Sequence, residues 1–274
     1  MRASIVIADR LRRSAQKAMP ARLYRILAEF YNQCIVVRRL GFWGLQQLNA
    51  LRTDGDPSSP MKALNLPNLN HPLWVRPGSS DVIDEVVHTI VRECYGQYEP
   101  LRPPRFIIDA GANIGDSTCW FLSRYMKATV LAFEPDPDNF EVLLRNTNPY
   151  GSRVQCIKAG LWFRDAGLKV CDGGSKIGTY VKEVSHAEEA DCHGLSPQTI
   201  ASRFKLPYID IFKVDIEGAE TALFTKDPTW LSSCDVVYVD VHSKDAARAV
   251  ATAGQQYGFS CHRYRELCIL SRPN

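Results

Sequence analysis

From Arg105 onward, short apolar runs alternate with longer stretches of mixed polar and apolar residues. The first five runs read RFIIDA, ATVLAFE, RVQCIKA, YIDIFKVD and DVVYVDV. Runs that are rich in Val, Ile and Phe and have few polar interruptions are typical of parallel strands covered on both faces. The pattern therefore predicts an α/β fold with a mostly parallel sheet.

The stretches between these runs predict helices over 116–127, 137–146, 198–205, 218–225 and 245–257. Two further apolar runs, FSCHRY and ELCILS, are separated only by Arg265. Because so short a connection cannot form a parallel crossover, we expect an antiparallel last strand. The expected fold is a Rossmann-like sheet of seven strands. Between the third and fourth strands, residues 161–195 contain two strand-like runs around Gly173 and Gly174, which predict a hairpin excursion.

The first 60 residues have a different pattern. Apolar residues recur there at the spacing of one helical face, after Pro20: Leu23, Ile26, Leu27, Phe30, Tyr31, Cys34 and Ile35. The polar stretch TDGDPSSP at 53–60 is typical of a linker. We therefore predict a basic helical extension and linker over 1–60 and a main domain over 61–274. A second helix is expected from Asp81, as its N-cap, to Gly96.

Composition and charge narrow the class of protein. The 274 residues are 45% hydrophobic and contain 17 Gly and 16 Pro, which is typical of a globular chain. Arginines interrupt every N-terminal apolar stretch, so no membrane-spanning helix is expected. The start of the chain lacks the pattern of a signal peptide, and its nine cysteines include no CxxC pair. These features indicate a cytoplasmic protein.

The formal net charge of +3 is too small to indicate a nucleic-acid partner, but it is unevenly distributed. Residues 1–55 contain ten Lys and Arg against three acids, a net charge of +7. The predicted helix could pack its apolar face on the main domain or lie on an anionic membrane surface. We expect packing, and a peripheral membrane contact through residues 1–55 is the alternative.

The segment IIDAGANIGDS, residues 107–117, places a glycine-rich turn between a strand and a helix. Gly111 and Gly115 would allow the main chain to approach a ligand, and free N–H groups at the helix start favour an anion. The glycine spacing of the dinucleotide-binding motif is absent. Asp109, two residues before the first glycine, could accept a hydrogen bond from an ammonium group of a ligand.

Glu134 ends the second strand, nineteen residues after Gly115. An acid at this place in the fold can accept hydrogen bonds from both hydroxyls of a ribose. Together with Asp109 it predicts a nucleoside-containing ligand at the carboxyl ends of the strands. The nearby Asp136 precedes Pro137 and is expected only to cap the next helix.

Two further strand ends carry acids and a histidine. The run FKVDIEGAE places Asp215, Glu217 and Glu220 after the fourth strand. Asp215 could hold a metal, orient the transferable group or act as a base. Glu220 is expected only to be favoured by the helix dipole at the start of the next helix. In DVVYVDVHS, Asp240 and His242 lie on one face of the next strand. His242 could be a base in this crevice, or a structural histidine that caps the following helix.

These segments together resemble the FkbM-type methyltransferases that use S-adenosylmethionine. The resemblance runs from HPLWVRPGSSD at 71–81 through IIDAGANIGDS, LAFEPDPDNF and IDIFKVDIEGAE to VVYVDVHS, and KVDIEGAE is its most specific element. It implies O-methylation of a sugar, glycan or polyketide-type small molecule. From their positions in the matching motifs, the resemblance implies that the following residues bind the cofactor: Asp109, Gly111, Asn113, Gly115 and Glu134. It implies catalytic roles for Asp215, Glu217 and His242, although Asp240 stands where the family usually has Glu.

Other functions stay open at this point. A methyltransferase for nucleic-acid base amines would carry Asn/Asp-Pro-Pro-aromatic after the fourth strand, where this chain has Asp-Ile-Glu-Gly. Transfer to another acceptor atom and a catalytically inactive cofactor-binding scaffold are the remaining alternatives. No metal site is predicted, because Cys171, His186, Cys192 and His193 lack the spacing of zinc ligands, although a divalent ion at the acids is not excluded. The sequence does not indicate the oligomeric state.

Overall fold

The computed structural model describes residues 19–53, 59–79, 86–98, 100–172 and 179–273. Among these residues, none of the helices combines the length and the apolarity that a bilayer crossing requires. The chain divides into two compact units, one of residues 1–97 with 263–265 and one of residues 98–262 with 266–274. The division of the sequence at residue 60 stays a prediction.

In the first unit, helix α1 (Ala21–Thr53) follows Pro20. Gly41 interrupts it with a non-helical conformation, at φ 73° and ψ 178°. The guanidinium of Arg52 lies 3.9 Å from the carboxylate of Glu29. In a straight helix these residues would be about 35 Å apart, so the two arms of α1 fold back alongside each other.

The rest of this unit is short elements. Strands β1 (Lys62–Leu64) and β2 (Leu73–Val75) form an antiparallel pair. A π-helical turn covers Val86–Val91 and a 3₁₀ turn covers Cys94–Gln97. The described part of the second predicted helix, from residue 86 onward, is thus two short turns separated at Glu93, whose positive φ of 50° is not helical. Its predicted cap, Asp81, lies outside the described residues.

The second unit is built on a seven-stranded sheet in the order β12-β13-β11-β10-β3-β4-β5. Its strands are β3 (Phe106–Ala110), β4 (Thr129–Phe133), β5 (Val154–Ile157), β10 (Ile209–Val214), β11 (Cys234–Asp240), β12 (Ser260–Tyr264) and β13 (Leu267–Ser271). Neighbouring strands from β11 to β5 are parallel, and β13 is antiparallel to β11. The predicted fold class is confirmed.

Five helices connect these strands, namely α2 (Asp116–Arg124), α3 (Pro137–Thr147), α4 (Pro197–Arg203), α5 (Glu220–Lys226) and α6 (Lys244–Gln256). The side chains of the central strands are buried, and Ile108, Phe212 and Val237 are completely inaccessible to solvent. Helix α5 begins two residues later than predicted. The reason is that Glu217 and Gly218 have positive φ of 36° and 90°, which a right-handed helix does not allow.

The excursion between β5 and α4 is larger than the predicted hairpin. It contains β6 (Ala159–Leu161), β7 (Ala166–Asp172), β8 (Thr179–Glu183) and β9 (Cys192–Leu195). These strands form a separate sheet in the order β6-β9-β7-β8. The predicted hairpin is β7 with β8, which pair antiparallel. Its predicted turn, at Gly173 and Gly174, lies outside the described residues.

Candidate functional site

The turn between β3 and α2 holds Gly111, Asn113 and Gly115, whose φ values are 75°, 48° and 87°. This left-handed region favours glycine. A Cβ at Gly111 would lie 1.7 Å from the carbonyl oxygen of Asp215, and one at Gly115 would lie 2.7 Å from Cδ1 of Leu143. The contact with main chain excludes a larger residue at Gly111, whereas at Gly115 the nearest atom belongs to the flexible side chain of Leu143.

Asp109, the predicted cofactor acid at the end of β3, is completely buried. Its Oδ2 accepts hydrogen bonds of 2.7 Å from Ser117 and 2.6 Å from Thr118, in the first turn of α2. Its Oδ1 lies 3.2 Å from Nζ of Lys213. Both oxygens are thus engaged within this chain, and Asp109 ties the end of β3 to α2 and β10.

Lys213 is a buried cation at the centre of this arrangement. It lies directly opposite Asp109 in the parallel register of β10 and β3. Its ammonium donates a hydrogen bond to the carbonyl of Gly111 and lies 3.5 Å from Oδ2 of Asp215. A buried ammonium requires such partners. The sequence analysis missed this residue, although a lysine within the apolar run IDIFKV was a signal.

Glu134 follows β4 and is 5% exposed. Its Oε2 accepts a hydrogen bond of 2.8 Å from the main chain of Asn113, and its Oε1 accepts one of 2.9 Å from that of Asp136. Burial raises the pKa of Glu134 to about 7, although these two hydrogen bonds oppose the shift. Each carboxylate oxygen has a second lone pair, so Glu134 can still accept hydrogen bonds from a ligand.

Asp136 itself caps helix α3, as predicted. Its side chain accepts hydrogen bonds from the main-chain N–H groups of Asp138 and Asn139, and Pro137 occupies the first helical turn. The cap fixes the start of α3 beside Glu134. The predicted cap is confirmed.

The segment after β10 carries partly exposed acidic side chains. The side chains of Asp215 and Glu217 are 28% and 31% exposed. Burial raises the pKa of Glu217 to about 7, opposed by the charge of His242 and reinforced by that of Asp215. The positive φ of Glu217 is strained for a residue with a side chain, and such strain is concentrated at functional sites.

His242, two residues beyond β11, connects these acids. Its Nδ1 lies 2.7 Å from Oε1 of Glu220, which is 1% exposed. Its Nε2 lies 3.3 Å from Oε1 of Glu217 and 3.9 Å from Oδ1 of Asp215. Burial lowers the pKa of His242, but the hydrogen bond to Glu220 and the three negative charges outweigh it and raise the pKa to about 9.

Asp240, at the end of β11, is the fourth acid near the imidazole. Burial and the charge of Asp215 raise its pKa to about 7. Asp215, Asp240 and His242 each offer one atom within 4.8 Å of the others, which is close enough to share a metal ion. A proton on His242 would compete with a metal for the imidazole.

The structure thus brings the three predicted catalytic residues, Asp215, Glu217 and His242, into one cluster. It adds Glu220, which the sequence analysis assigned to the helix dipole alone. Glu220 does begin α5, but its carboxylate also contacts the imidazole. No spacing rule links positions 220 and 242, because their contact depends on how α5 packs beside the end of β11.

Comparison with known proteins gives a family for this geometry. Residues 109–261 match the family described as Methyltransferase FkbM domain. Methyltransferase 1 of Beauveria bassiana is 28% identical over 64% of this chain and 81% of that protein. Hexuronic acid methyltransferase AglP of Haloferax volcanii is 26% identical over 53% of this chain and 61% of that protein.

Distant likeness to solved structures is also found. The fibrillarin pre-rRNA processing protein of Methanococcus jannaschii is 12% identical, with a TM-score of 0.41 over 80% of this chain and 84% of that one. Likeness at this level says nothing about the acceptor.

Proposed function

The chain belongs to the FkbM methyltransferase family, and on this premise we propose that it is an S-adenosylmethionine-dependent O-methyltransferase. Its acceptor would be a hydroxyl of a sugar, a glycan or a polyketide-type small molecule. The observation that carries the proposal is the contact of 2.7 Å between Nδ1 of His242 and the buried Glu220. A histidine oriented in this way can remove a proton from a hydroxyl, which is otherwise a weak nucleophile.

The ends of β3 and β4 fit the cofactor. S-adenosylmethionine, when bound, supplies a methyl group on a positively charged sulfur. Gly111 and Gly115 would keep the turn in its left-handed conformation, and Asn113 would hold Glu134 in place through its N–H group. Glu134 would accept hydrogen bonds from the ribose hydroxyls. Asp109, whose oxygens are engaged elsewhere, would act as a positioning residue for this turn.

At the ends of β10 and β11, His242 would take the proton of the acceptor hydroxyl through Nε2. Glu220 would fix the ring and stabilise the imidazolium that forms. Asp215 and Glu217 would orient the acceptor, and Asp215 is the alternative base. Because the pKa of His242 is about 9, the neutral imidazole increases as the pH rises toward that value.

Two arguments support a sugar hydroxyl as the methyl acceptor, namely its chemistry and the name of one relative. A sugar hydroxyl has a pKa far above that of His242, so alignment and proton removal both matter. AglP is named as a hexuronic acid methyltransferase, which supports a sugar acceptor here.

The first experiment is to incubate the purified protein and glycan or metabolite fractions with isotopically labelled S-adenosylmethionine. We expect a labelled product that carries the methyl group on oxygen, identified by mass spectrometry. Label on nitrogen or carbon would replace the proposal with another acceptor atom. Cofactor binding without any product across these fractions would favour a non-catalytic scaffold. Addition of EDTA should leave product formation unchanged, since the proposed base is the imidazole of His242 and no metal takes part in the proposal.

A set of variants then tests the roles. His242→Ala should lower kcat by roughly a hundredfold or more, as loss of a general base does. Its affinity for S-adenosylmethionine should be unchanged, and the exposed His262→Ala is the matched control. Glu220→Gln should lower kcat less and displace the ascending limb of the kcat/KM profile to lower pH, because Glu220 raises the pKa of His242. If only Asp215→Asn abolishes turnover, Asp215 is the base.

A further inference from the structure

The first arm of α1, residues 21–40, exposes a continuous apolar stripe. Its members expose between 38% and 64% of their surface, and they are Leu23, Ile26, Leu27, Phe30, Tyr31 and Val37. At 100° per residue these positions fall within a sector about 140° wide. Among the side chains of α1 that the structure describes, the buried ones are Val36, Leu48 and Leu51. The stripe is therefore not the side of the arm that the second arm covers.

The tip of the helical hairpin extends this apolar surface. Phe42 and Trp43, directly after Gly41, are 64% and 83% exposed. Aromatic side chains with this degree of exposure are uncommon on a surface that faces only water, but they are favoured where water meets a bilayer. The stripe and the tip together form a surface that water solvates poorly.

Positive charges flank the stripe at its two ends, because Arg22 directly precedes Leu23 and Arg38 directly follows Val37. Arg22 and Arg38 are exposed, and neither forms an ion pair within the part of the chain that the structure describes. Glu29 is the only acid in residues 19–53, and it lies beside Arg52. Residues 1–55 as a whole carry a net charge of +7. An apolar face that is flanked by positive charges is complementary to a surface whose outer layer is anionic and whose interior is apolar.

We propose that this face of α1 binds the surface of an anionic lipid bilayer. The first arm, about 30 Å long, lies in the plane of the interface with its stripe among the acyl chains. Arg22 and Arg38 contact the lipid phosphates. A second copy of this chain fits the stripe less well, because it would bring two segments of charge +7 together. The inference is independent of the methyl acceptor.

The experiment is co-sedimentation of the full chain with vesicles made of phosphatidylglycerol and phosphatidylcholine. We expect binding at low salt that weakens at moderate salt, and little binding to vesicles of phosphatidylcholine alone. Ile26→Ser with Phe30→Ser should weaken the binding by at least about tenfold, since each side chain contributes through apolar burial. Arg22→Glu with Arg38→Glu should weaken it by at least about twentyfold at low salt.

Matched variants show whether a loss of vesicle binding depends on this face of α1 or on any comparable change of surface apolarity or charge. Leu101→Ser with Met126→Ser removes two apolar side chains of similar exposure, and Lys127→Glu with Lys169→Glu makes the same change of charge. Both should bind vesicles as the wild type does. Circular dichroism checks that every variant is folded. Failure of the wild type to bind anionic vesicles at low salt overturns the proposal, as does a dimer in sedimentation velocity that Phe30→Ser dissociates while vesicle binding is unchanged.

Discussion

The ends of β3 and β10 are neighbours in the sheet, yet they form their parts of the site by opposite means. At the end of β3, Asp109 is completely buried and engaged, and Gly111 and Gly115 pack closely against neighbouring elements. After β10, Asp215 and Glu217 are partly exposed, and the pKa of Glu217 is raised. A ligand cradle depends on shape, whereas proton transfer depends on the ionisation of side chains. Substitutions should therefore affect stability on one side and turnover on the other.

The largest expected effect comes from adding one methyl group to the β3 turn. In Gly111→Ala the new Cβ would meet the carbonyl oxygen of Asp215 at 1.7 Å. We expect the free energy of unfolding, measured in urea, to fall by more than about 4 kcal/mol, or the protein not to fold. Gly218→Ala, after β10, is the matched control, because its φ is 90° but no atom lies within 4 Å of the added Cβ.

Gly218→Ala should cost only about 1–2 kcal/mol, from the left-handed conformation alone. Equal losses in the two variants would mean that backbone conformation, rather than the close approach of β3 to β10, explains both glycines.

The next effect comes from the buried ion pair that joins the two strand ends. Lys213→Met leaves the carboxylate of Asp109 buried without its cation, so the free energy of unfolding should fall by about 3–5 kcal/mol. Asp109→Asn combined with Lys213→Met removes both charges and should cost clearly less than Lys213→Met alone. A double-mutant cycle measures this coupling. Additive losses would contradict a shared role for the pair.

The same two strand ends show which parts of the fold and of the site could be predicted from the sequence. The β3 turn was predictable because its signal is local: Gly111, Asn113 and Gly115 follow one strand within a few residues. The fold was predictable for the same reason, since apolar runs and their spacing indicate strands and crossovers. Lys213 and Glu220 were missed because their partners, Asp109 and His242, are distant in sequence. Only the register of β3 with β10, and the packing of α5 beside β11, bring these pairs together.

A smaller effect should appear in cofactor binding. Glu134→Ala should weaken S-adenosylmethionine binding by roughly tenfold to a hundredfold, the range for hydrogen bonds to a charged group. Because the pKa of Glu134 is about 7, its ionised form increases through neutral pH. Wild-type affinity should therefore rise with pH through about 7, and this dependence should be weaker in the variant.

Isothermal titration calorimetry measures both quantities. The exposed Glu141→Ala, in α3, is the matched control and should bind the cofactor as the wild type does. Unchanged affinity in Glu134→Ala would remove Glu134 from the proposed ribose site.

The smallest expected effect is the dependence of stability on the proton of His242. The pKa of His242 rises from 6.5 to about 9 on folding. The stabilisation from its contacts with Glu220, Glu217 and Asp215 is therefore fully present below about pH 6.5 and is lost as the pH rises through about 9. Since the imidazole is about one third exposed, we expect the stability advantage over His242→Gln to shrink by about 1–2 kcal/mol between about pH 6 and pH 9.5.

Urea unfolding of the wild type, His242→Gln and the control His262→Gln at both pH values measures this difference. The same proton links it to the proposed chemistry, because a base can act only after it has lost its own proton. Turnover should therefore rise over the pH range in which this stabilisation disappears. If the advantage over His242→Gln stays constant while turnover rises, another group carries the catalytic pKa, and Asp215 is then the better candidate for the base.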